Sequence, residues 1–156
     1  MDNNVEQPVT ILLATRIDRF FAALVDGFIL ILILIVPQFL IFGLDGLARM
    51  QSENEFTYAL ATGAVSQIVF LLLNGRLLFK YGQTIGKRYL EIKIVDLNNN
   101  LPTAGSVYGR RYLLMGLFYL IPGLGGIFGV VDPLFIFRED RRCIHDLIAG
   151  TKVIAA

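Results

Sequence analysis

A run of 23 residues from Phe20 to Phe42 carries one formal charge, the carboxylate of Asp26. A membrane-spanning helix needs about 20 apolar residues, so this run is long enough to cross a bilayer. If Phe20 marks the membrane boundary, Asp26 lies about 9 Å inside the hydrocarbon. A carboxylate at that depth raises the free energy of membrane insertion by about 2.5–3.5 kcal/mol. A helix does not need this aspartate to cross the membrane. We therefore predict that the Asp26 carboxylate makes a favourable interaction that compensates for its burial.

Two more apolar segments follow the first. Residues 57–79 are uncharged before Arg76 and are predicted to form a second span. Residues 112–137 would measure about 39 Å as one helix, but their middle reads IPGLGGIFG. Proline and glycine disfavour a continuous helix. This segment is therefore either a third span or a re-entrant hairpin, whose halves are each too short to cross a core of about 30 Å.

The composition agrees with a membrane protein, because 55% of the residues are hydrophobic and only 17% are charged. The length of 156 residues is typical of one domain. We predict an all-α membrane protein with two full transmembrane helices, the Gly/Pro-broken third segment and a small cytoplasmic β element. Its predicted parts are a single domain 1–156, spans at about 20–42, 57–79 and 112–137, a cytoplasmic loop 80–111 and a C-terminal tail 138–156.

The distribution of positive charge predicts the orientation. Seven of the fourteen lysines and arginines lie between Arg76 and Arg111, whereas the loop after the first span contains only Arg49. Positive residues mark the cytoplasmic side, so a multi-pass protein of the cell membrane with a cytoplasmic N-terminus is predicted. A hairpin would also place the lysine and arginine residues of the C-terminal tail on the cytoplasmic side. Charge bias therefore favours the hairpin and a cytoplasmic C-terminus.

Strand periodicity occurs in two polar regions. Tyr89–Val95 alternates apolar and polar residues, and Thr151–Ala155 has the same character. We predict that these two segments pair on the cytoplasmic side, with Val9–Ala14 as a candidate third strand. Thr103 is predicted to cap the helix that leads into the third segment. Gly150 is predicted to end a short helical turn.

Several kinds of chemistry are not indicated. One cysteine, Cys143, allows no internal disulfide, and one histidine, His145, argues against a protein-only zinc site. GQTIGK lacks the spacing of a phosphate loop and is predicted to be a membrane-surface turn. No nucleophile–base constellation is present. We expect no enzyme activity, no metal, no cofactor and no nucleic-acid partner.

Three motifs, in order along the chain, resemble the RDD family of small membrane proteins, named for an arginine and two aspartates. They are RFFAALVD at Arg19–Asp26, GQTIGKRYLEIKIVD at Gly82–Asp96 and HDLIAGTKV at His145–Val153. By this resemblance, Arg19 is the arginine and Asp26 the first aspartate. The second aspartate is Asp132 or Asp146. The other motif residues are expected to be structural: Gly82, Thr84, Gly86, Lys87, His145, Asp146, Gly150 and Thr151.

The resemblance implies a bundle of about three membrane segments and leaves two functions open. Some members are described as sodium, lithium or potassium/proton antiporters. We therefore expect a monovalent cation/proton exchanger in which Asp26 and Asp132 bind the ion or relay protons, with Arg19 and Arg110 as charge partners. Two and a half membrane segments cannot enclose a pathway, so transport requires a homo-oligomer in the lipid bilayer. The alternative is a non-transporting scaffold that recruits a partner or anionic lipid through Lys80–Arg111.

Overall fold

A computed structural model of the chain describes residues 12–53, 55–121 and 124–156. The fold is mostly helical, with two long helices, a broken third helical segment and one two-stranded sheet. The two long helices, Arg16–Arg49 and Glu55–Tyr81, are the candidate membrane spans by length and composition. The predicted all-α class with a small β element is thus confirmed in its main features.

The first long helix is not uniform along its length. It consists of α1 (Arg16–Leu30), a π-helical segment (Ile31–Ile35) and α2 (Val36–Glu53). The hydroxyl of Thr15 caps its N-terminus by accepting a backbone N–H bond. Gly43 has φ 65° and ψ 179°, which interrupts the helical backbone and kinks α2.

The loop predicted between the first two spans is largely helical. After the kink, α2 continues to Glu53, and α3 (Glu55–Tyr81) begins two residues later. The charged residues near 45–53 predict a loop between the two apolar runs. Polar side chains are compatible with a helix that extends beyond the membrane, since only proline and glycine strongly disfavour helical backbone. Asn54 lies outside the described residues.

The GQTIGK motif forms a turn followed by a short helix. Gly82 has φ 67°, which favours glycine, and its N–H bonds to the carbonyl of Leu78. Thr84 then caps α4 (Ile85–Tyr89). Gly86 packs so closely on α1 that a Cβ at this position would collide with the carbonyl of Ala22. The motif therefore attaches the polar region directly to the first long helix.

The predicted strand pairing is confirmed. Strand β1 (Ile92–Asp96) runs antiparallel to β2 (Thr151–Ala155), with Ile94 opposite Val153. Both of these side chains are buried.

The predicted third strand is present only as a short addition to β2. Leu13 forms an isolated bridge with Ile154, and the N–H of Ala14 bonds to a carbonyl of β2 at 3.0 Å. The rest of that predicted strand, residues 9–11, lies outside the described residues.

The third segment is broken where the sequence predicts it. A π-helix (Gly105–Leu113) leads into α5 (Leu114–Tyr119), and α6 (Leu124–Leu134) continues after the break into a 3₁₀ turn (Phe135–Phe137). The predicted cap is also present, because the Thr103 hydroxyl accepts the N–H of Ser106. Pro122 and Gly123 lie outside the described residues.

The two halves of this segment pack against each other as a helical hairpin. The rings of Phe118 in α5 and Phe128 in α6 are stacked at 5.1 Å. At the end of the second half, the carbonyl of Ile136 accepts a bond from Arg16 Nε at 3.1 Å. The chain therefore returns to the N-terminal end of α1.

The C-terminal region completes a small core at that same end. Helix α7 (Ile144–Ala149) ends at Gly150, which has φ 66° as predicted for a helix-terminating glycine. The core contains these buried hydrophobic residues: Ala14, Ala22, Phe70, Leu78, Ile92, Ile94, Val107 and Val153. By contrast, Leu40 in α2 is 75% exposed. The protein thus has a packed polar end and long apolar helices whose outer surfaces are available to lipid.

Candidate functional site

A buried charge cluster, Arg19, Arg111 and Asp146, lies at the centre of the packed end. Asp146 is 0% exposed, Arg111 is 4% and Arg19 is 8%. One carboxylate oxygen accepts from Arg19 and the other accepts from Arg111. These residues belong to α7, α1 and the π-helix, so a single carboxylate joins three distant parts of the chain.

The same carboxylate also organises α7 locally. The N–H of Cys143 donates to Asp146 Oδ2 at 3.2 Å, as in a capping box, and the Thr151 hydroxyl donates to Oδ1 at 3.2 Å. Arg111 additionally donates to the Thr151 hydroxyl at 2.9 Å. The carboxylate of Asp146 therefore connects α7 with α1, the π-helix and β2.

Asp26 has different partners from those predicted. Its carboxylate accepts from the Thr84 hydroxyl at 2.5 Å and from the N–H of Gly86 at 2.8 Å. Arg19 pairs with Asp146 instead, and Arg110 is exposed.

Arg19 and Arg110, the predicted charge partners, therefore do not pair with Asp26, and the reasons are geometric. Arg19 and Asp26 share a helix face but are about 10.5 Å apart along the axis. Arg111 rather than Arg110 turns inward. Arg111 is four residues from both Val107 and Met115, which are buried. In the sequence, apolar residues four positions before and after Arg111 indicate that this arginine lies on the buried face of its helix.

Asp132 is joined to α7. Its two carboxylate oxygens lie 2.9 Å from the N–H of His145 and 2.6 Å from His145 Nδ1. His145 makes no hydrogen bond with the neighbouring Asp146, because its Nε2 lies 3.7 Å from that carboxylate. The sequence gives no direct signal for the Asp132–His145 contact, since it depends on the return of α6.

Asp26 and Asp132 line the same cavity, which we call the chamber. Its volume is about 350 Å³. Its apolar lining comes mainly from α1, α3 and α5: Ala23, Leu30, Phe70, Met115 and Gly116. Its polar lining consists of Asp26, Ser66, Gln67, Lys87, Arg111, Tyr112, Asp132 and His145. The tertiary structure thus brings two predicted site residues, 106 positions apart, to one space.

The remaining motif residues have structural positions in the same region. Gly82 and Gly150 occupy left-handed turns, Gly86 allows the close approach of α1, and Thr84 bonds to Asp26. Thr151 bonds within the buried charge cluster. Lys87 differs from these residues, because its side chain lines the chamber.

Three potential metal ligands lie together near the cluster. The ligand atoms of Cys143, His145 and Asp146 are all within 4.8 Å of one another. However, both oxygens of Asp146 already accept from guanidinium groups. A cation at this point would also face the charges of Arg19 and Arg111. The donor set therefore does not fit a metal ion.

Burial shifts the pKa values of two groups, one in α7 and one at its N-cap. Desolvation, reinforced by the positive charge of Arg111, lowers the pKa of His145 to about 4. Desolvation also raises the pKa of the Cys143 thiol. At neutral pH the histidine is therefore uncharged and the cysteine is protonated.

Two long apolar helices, a helical hairpin and a chamber lined by charged residues define this chain as a small membrane protein with a polar site at one end of its helices. The chain belongs to the RDD family, whose model matches residues 13–150. RDD is a family of small membrane proteins.

Two bacterial relatives match nearly the whole chain. An uncharacterized protein of Haemophilus influenzae is 29% identical over 148 residues, which cover 95% of this chain and 81% of the relative. The uncharacterized protein YckC of Bacillus subtilis is 34% identical over 139 residues, which cover 88% and 82% respectively. Comparison with solved structures gives no significant match.

The buried charge cluster predicts a large effect of neutralising Asp146. In Asp146→Asn, two buried guanidinium groups lose their counter-charge, so we expect a loss of about 3–5 kcal/mol in unfolding free energy. Thermal unfolding of the purified protein in detergent measures this loss. Asp140→Asn is the matched control, because Asp140 pairs with Arg138 on the surface and its loss costs at most about 1 kcal/mol. Equal melting temperatures for the two variants would contradict a central role for Asp146.

The lowered pKa of His145 predicts a pH dependence of stability. Between pH 6.5, the ordinary value, and about 4, the unfolded chain binds a proton that the folded chain does not. The unfolding free energy contributed by this group therefore falls as the pH falls through that window. In His145→Gln this component is removed, so the slope of stability against pH should be shallower. Chemical denaturation at several pH values between 4 and 7 checks this, and an unchanged slope would contradict it.

Proposed function

We propose that this RDD family protein exchanges a monovalent cation for a proton and that the chamber is its ion site. One observation carries the proposal: Asp26 and Asp132 line the same cavity in a membrane protein. Intramembrane carboxylates are costly and commonly mark ion or proton pathways. A cavity of about 350 Å³ with an apolar wall and a few convergent polar groups also has the character of a binding site.

The hydrogen bonds of both carboxylates support a preorganised site. Asp26 accepts one hydroxyl and one backbone N–H, and Asp132 accepts two bonds from His145. A small cation would therefore meet oxygen ligands of the kind that hard cations prefer.

The size of the chain supports action as a homo-oligomer. Two long helices and a hairpin are too few to surround a pathway on all sides. The outer face of the first helix carries large exposed apolar residues, including Ile31, Leu40 and Ile41. These faces are available to lipid and to other copies of the chain, which would complete the walls of the pathway.

We further propose that the third segment re-enters the membrane and that both termini are cytoplasmic. The return of Ile136 to Arg16 and the pairing of β2 with β1 support this topology. So does the concentration of positive charge in residues 76–111. The backbone at the break is at membrane depth in this arrangement, which is tolerated where it is buried in protein or lines a cavity.

A second function, a scaffold that holds anionic lipid, is favoured by a separate surface. A cavity of about 350 Å³ is lined by Lys80, Tyr81 and Lys93. Lys80 and Arg88 each lie 5.3 Å from the ring of Tyr81. Such a cationic and aromatic surface next to a membrane fits an anionic head group. A scaffold requires no ion movement through the chamber, so the flux measurement below separates the two functions.

Exchange predicts that Asp26→Asn abolishes pH-driven cation flux in proteoliposomes. The substitution keeps the size of the side chain and one acceptor oxygen for the Gly86 N–H, and the new amide can donate to the Thr84 hydroxyl, but the charge is removed. Asp132→Asn should have the same effect. Asp45→Asn is the control, because Asp45 is an exposed residue of α2. Sodium, lithium and potassium gradients are each tested against an internal pH dye.

The protein level in the membrane distinguishes the outcomes of this experiment. Flux lost at a normal level of folded protein supports an ion site. Normal flux in both variants overturns the role of the chamber. If neither the wild type nor any variant moves the three cations, the exchange function is wrong and the scaffold gains support.

The topology predicts that Ala156→Cys, in a Cys143→Ser background, resists a membrane-impermeant thiol reagent on intact cells. Ser52→Cys is the matched control, because Ser52 is exposed near the end of α2, between the two candidate spans, and should label readily. Both positions should label after the cells are opened. Ready labelling of residue 156 from outside means a third full span and contradicts the hairpin in the membrane.

A further inference from the structure

Two consecutive residues in the lining of the chamber have buried polar atoms without a hydrogen-bond partner. In the part of the chain that the structure describes, neither Arg111 Nε nor the Tyr112 hydroxyl has such a partner, and the two do not bond to each other. Both residues line the chamber. Buried polar groups are ordinarily hydrogen-bonded, and leaving one unpaired is costly. These two groups therefore indicate a position for an acceptor that does not belong to the chain.

Both groups are held in place by contacts outside the chamber. Arg111 is 4% exposed, and its Nη1 donates to the Asp146 carboxylate and the Thr151 hydroxyl. The ring of Tyr112 packs on Phe70, with the ring centroids 4.6 Å apart. Donors that are already fixed lose little freedom when an acceptor binds. Arg111 Nε and the Tyr112 hydroxyl thus form a preorganised pair, which we call the donor pair.

The chemistry of the donor pair favours a small monovalent anion. A guanidinium is always charged in proteins, and its N–H groups bond more strongly to an anion than to a neutral acceptor. Phe70 and Met115 give the same chamber an apolar wall. Burying an ion against such a wall is costly, and more so for a multiply charged anion. A halide accepts N–H and O–H bonds from any direction and carries only one charge.

We propose that the chamber binds chloride at the donor pair, next to the cation of the exchange. The evidence for the chloride site is independent of exchange, whereas its coupling to the cation rests on the proposed function. Asp26 and Asp132 offer oxygens to the cation, and the donor pair offers N–H and O–H groups to the chloride. Each ion offsets part of the cost of burying the other, because their charges are opposite.

The shared chamber predicts reciprocal coupling between the two ions. Chloride should raise the affinity for the cation by the same factor by which the cation raises the affinity for chloride. Coupling between two binding sites commonly changes affinity by about 5–150-fold. At a cation concentration below saturation, exchange in proteoliposomes should therefore be faster in chloride than in gluconate, an organic anion that is too large to share the chamber.

Thermal unfolding of the purified protein in detergent tests the chloride site without a transported cation. Choline chloride is compared with choline gluconate at equal ionic strength. A ligand that binds only the folded protein raises the melting temperature as its concentration rises. Chloride and bromide should raise the melting temperature of the wild type in this way, whereas gluconate should not.

One conservative substitution and a matched control make this test specific to the donor pair. Tyr112→Phe keeps the ring on Phe70 but removes the hydroxyl. It should weaken chloride binding by about tenfold or more, because a hydrogen bond to a charged group is lost. In gluconate it should be at least as stable as the wild type, since the hydroxyl has no partner in the protein. The control is Tyr58→Phe, because Tyr58 lies outside the chamber lining and bonds to Gln38 at 2.9 Å.

The outcomes separate this inference from the proposed function. If chloride and gluconate affect the wild type equally, or if Tyr112→Phe responds to chloride as Tyr58→Phe does, the chloride site is wrong and water is the acceptor of the donor pair. Cation exchange that is equally fast in both anions overturns the coupling, while exchange stands. If chloride stabilises the wild type but not Tyr112→Phe, and no cation moves, the chloride site stands and the proposed function falls.

Discussion

The structure depends on the need of a buried carboxylate for counter-charge. Asp146 has no exposed surface and receives a guanidinium at each oxygen, from Arg19 and Arg111. Removing three charges from water is expensive unless their geometry satisfies them. Because the three residues are far apart in sequence, this requirement brings the first helix, the third segment and the C-terminal helix to one point. The sheet and the helical hairpin close around the same point.

The position of the chamber follows from this arrangement. Once α7 is held by Asp146, its His145 is available to Asp132, and the second half of the hairpin is drawn back toward α1. Asp26 is held from the other side by the GQTIGK turn. The two carboxylates therefore face a common space without touching, and each is already engaged. The lining of this space also includes the charged side chains of Lys87 and Arg111.

Much of the local structure could be predicted from the sequence. Alternation in Tyr89–Val95 and Thr151–Ala155 predicted the strands, because a half-buried strand needs one apolar face. The break in the third segment followed from its proline and glycines. The errors came from long-range geometry. Arg19 and Arg110 were expected as charge partners of the intramembrane aspartates, whereas Arg19 and Arg111 pair with Asp146. A local sequence pattern does not predict which residue will pair with a buried charge.

The sequence alone determined the membrane class, the two long helices, the strands and the presence of a carboxylate where hydrocarbon disfavours it. These properties follow from hydropathy, backbone preferences and desolvation, which act on residues and short segments. Only the tertiary structure decided that Arg19 pairs with Asp146, that Asp26 is held by a backbone N–H, and that Asp26 and Asp132 line one cavity. Such partnerships depend on distances between segments, and those distances arise when all buried charges are satisfied together.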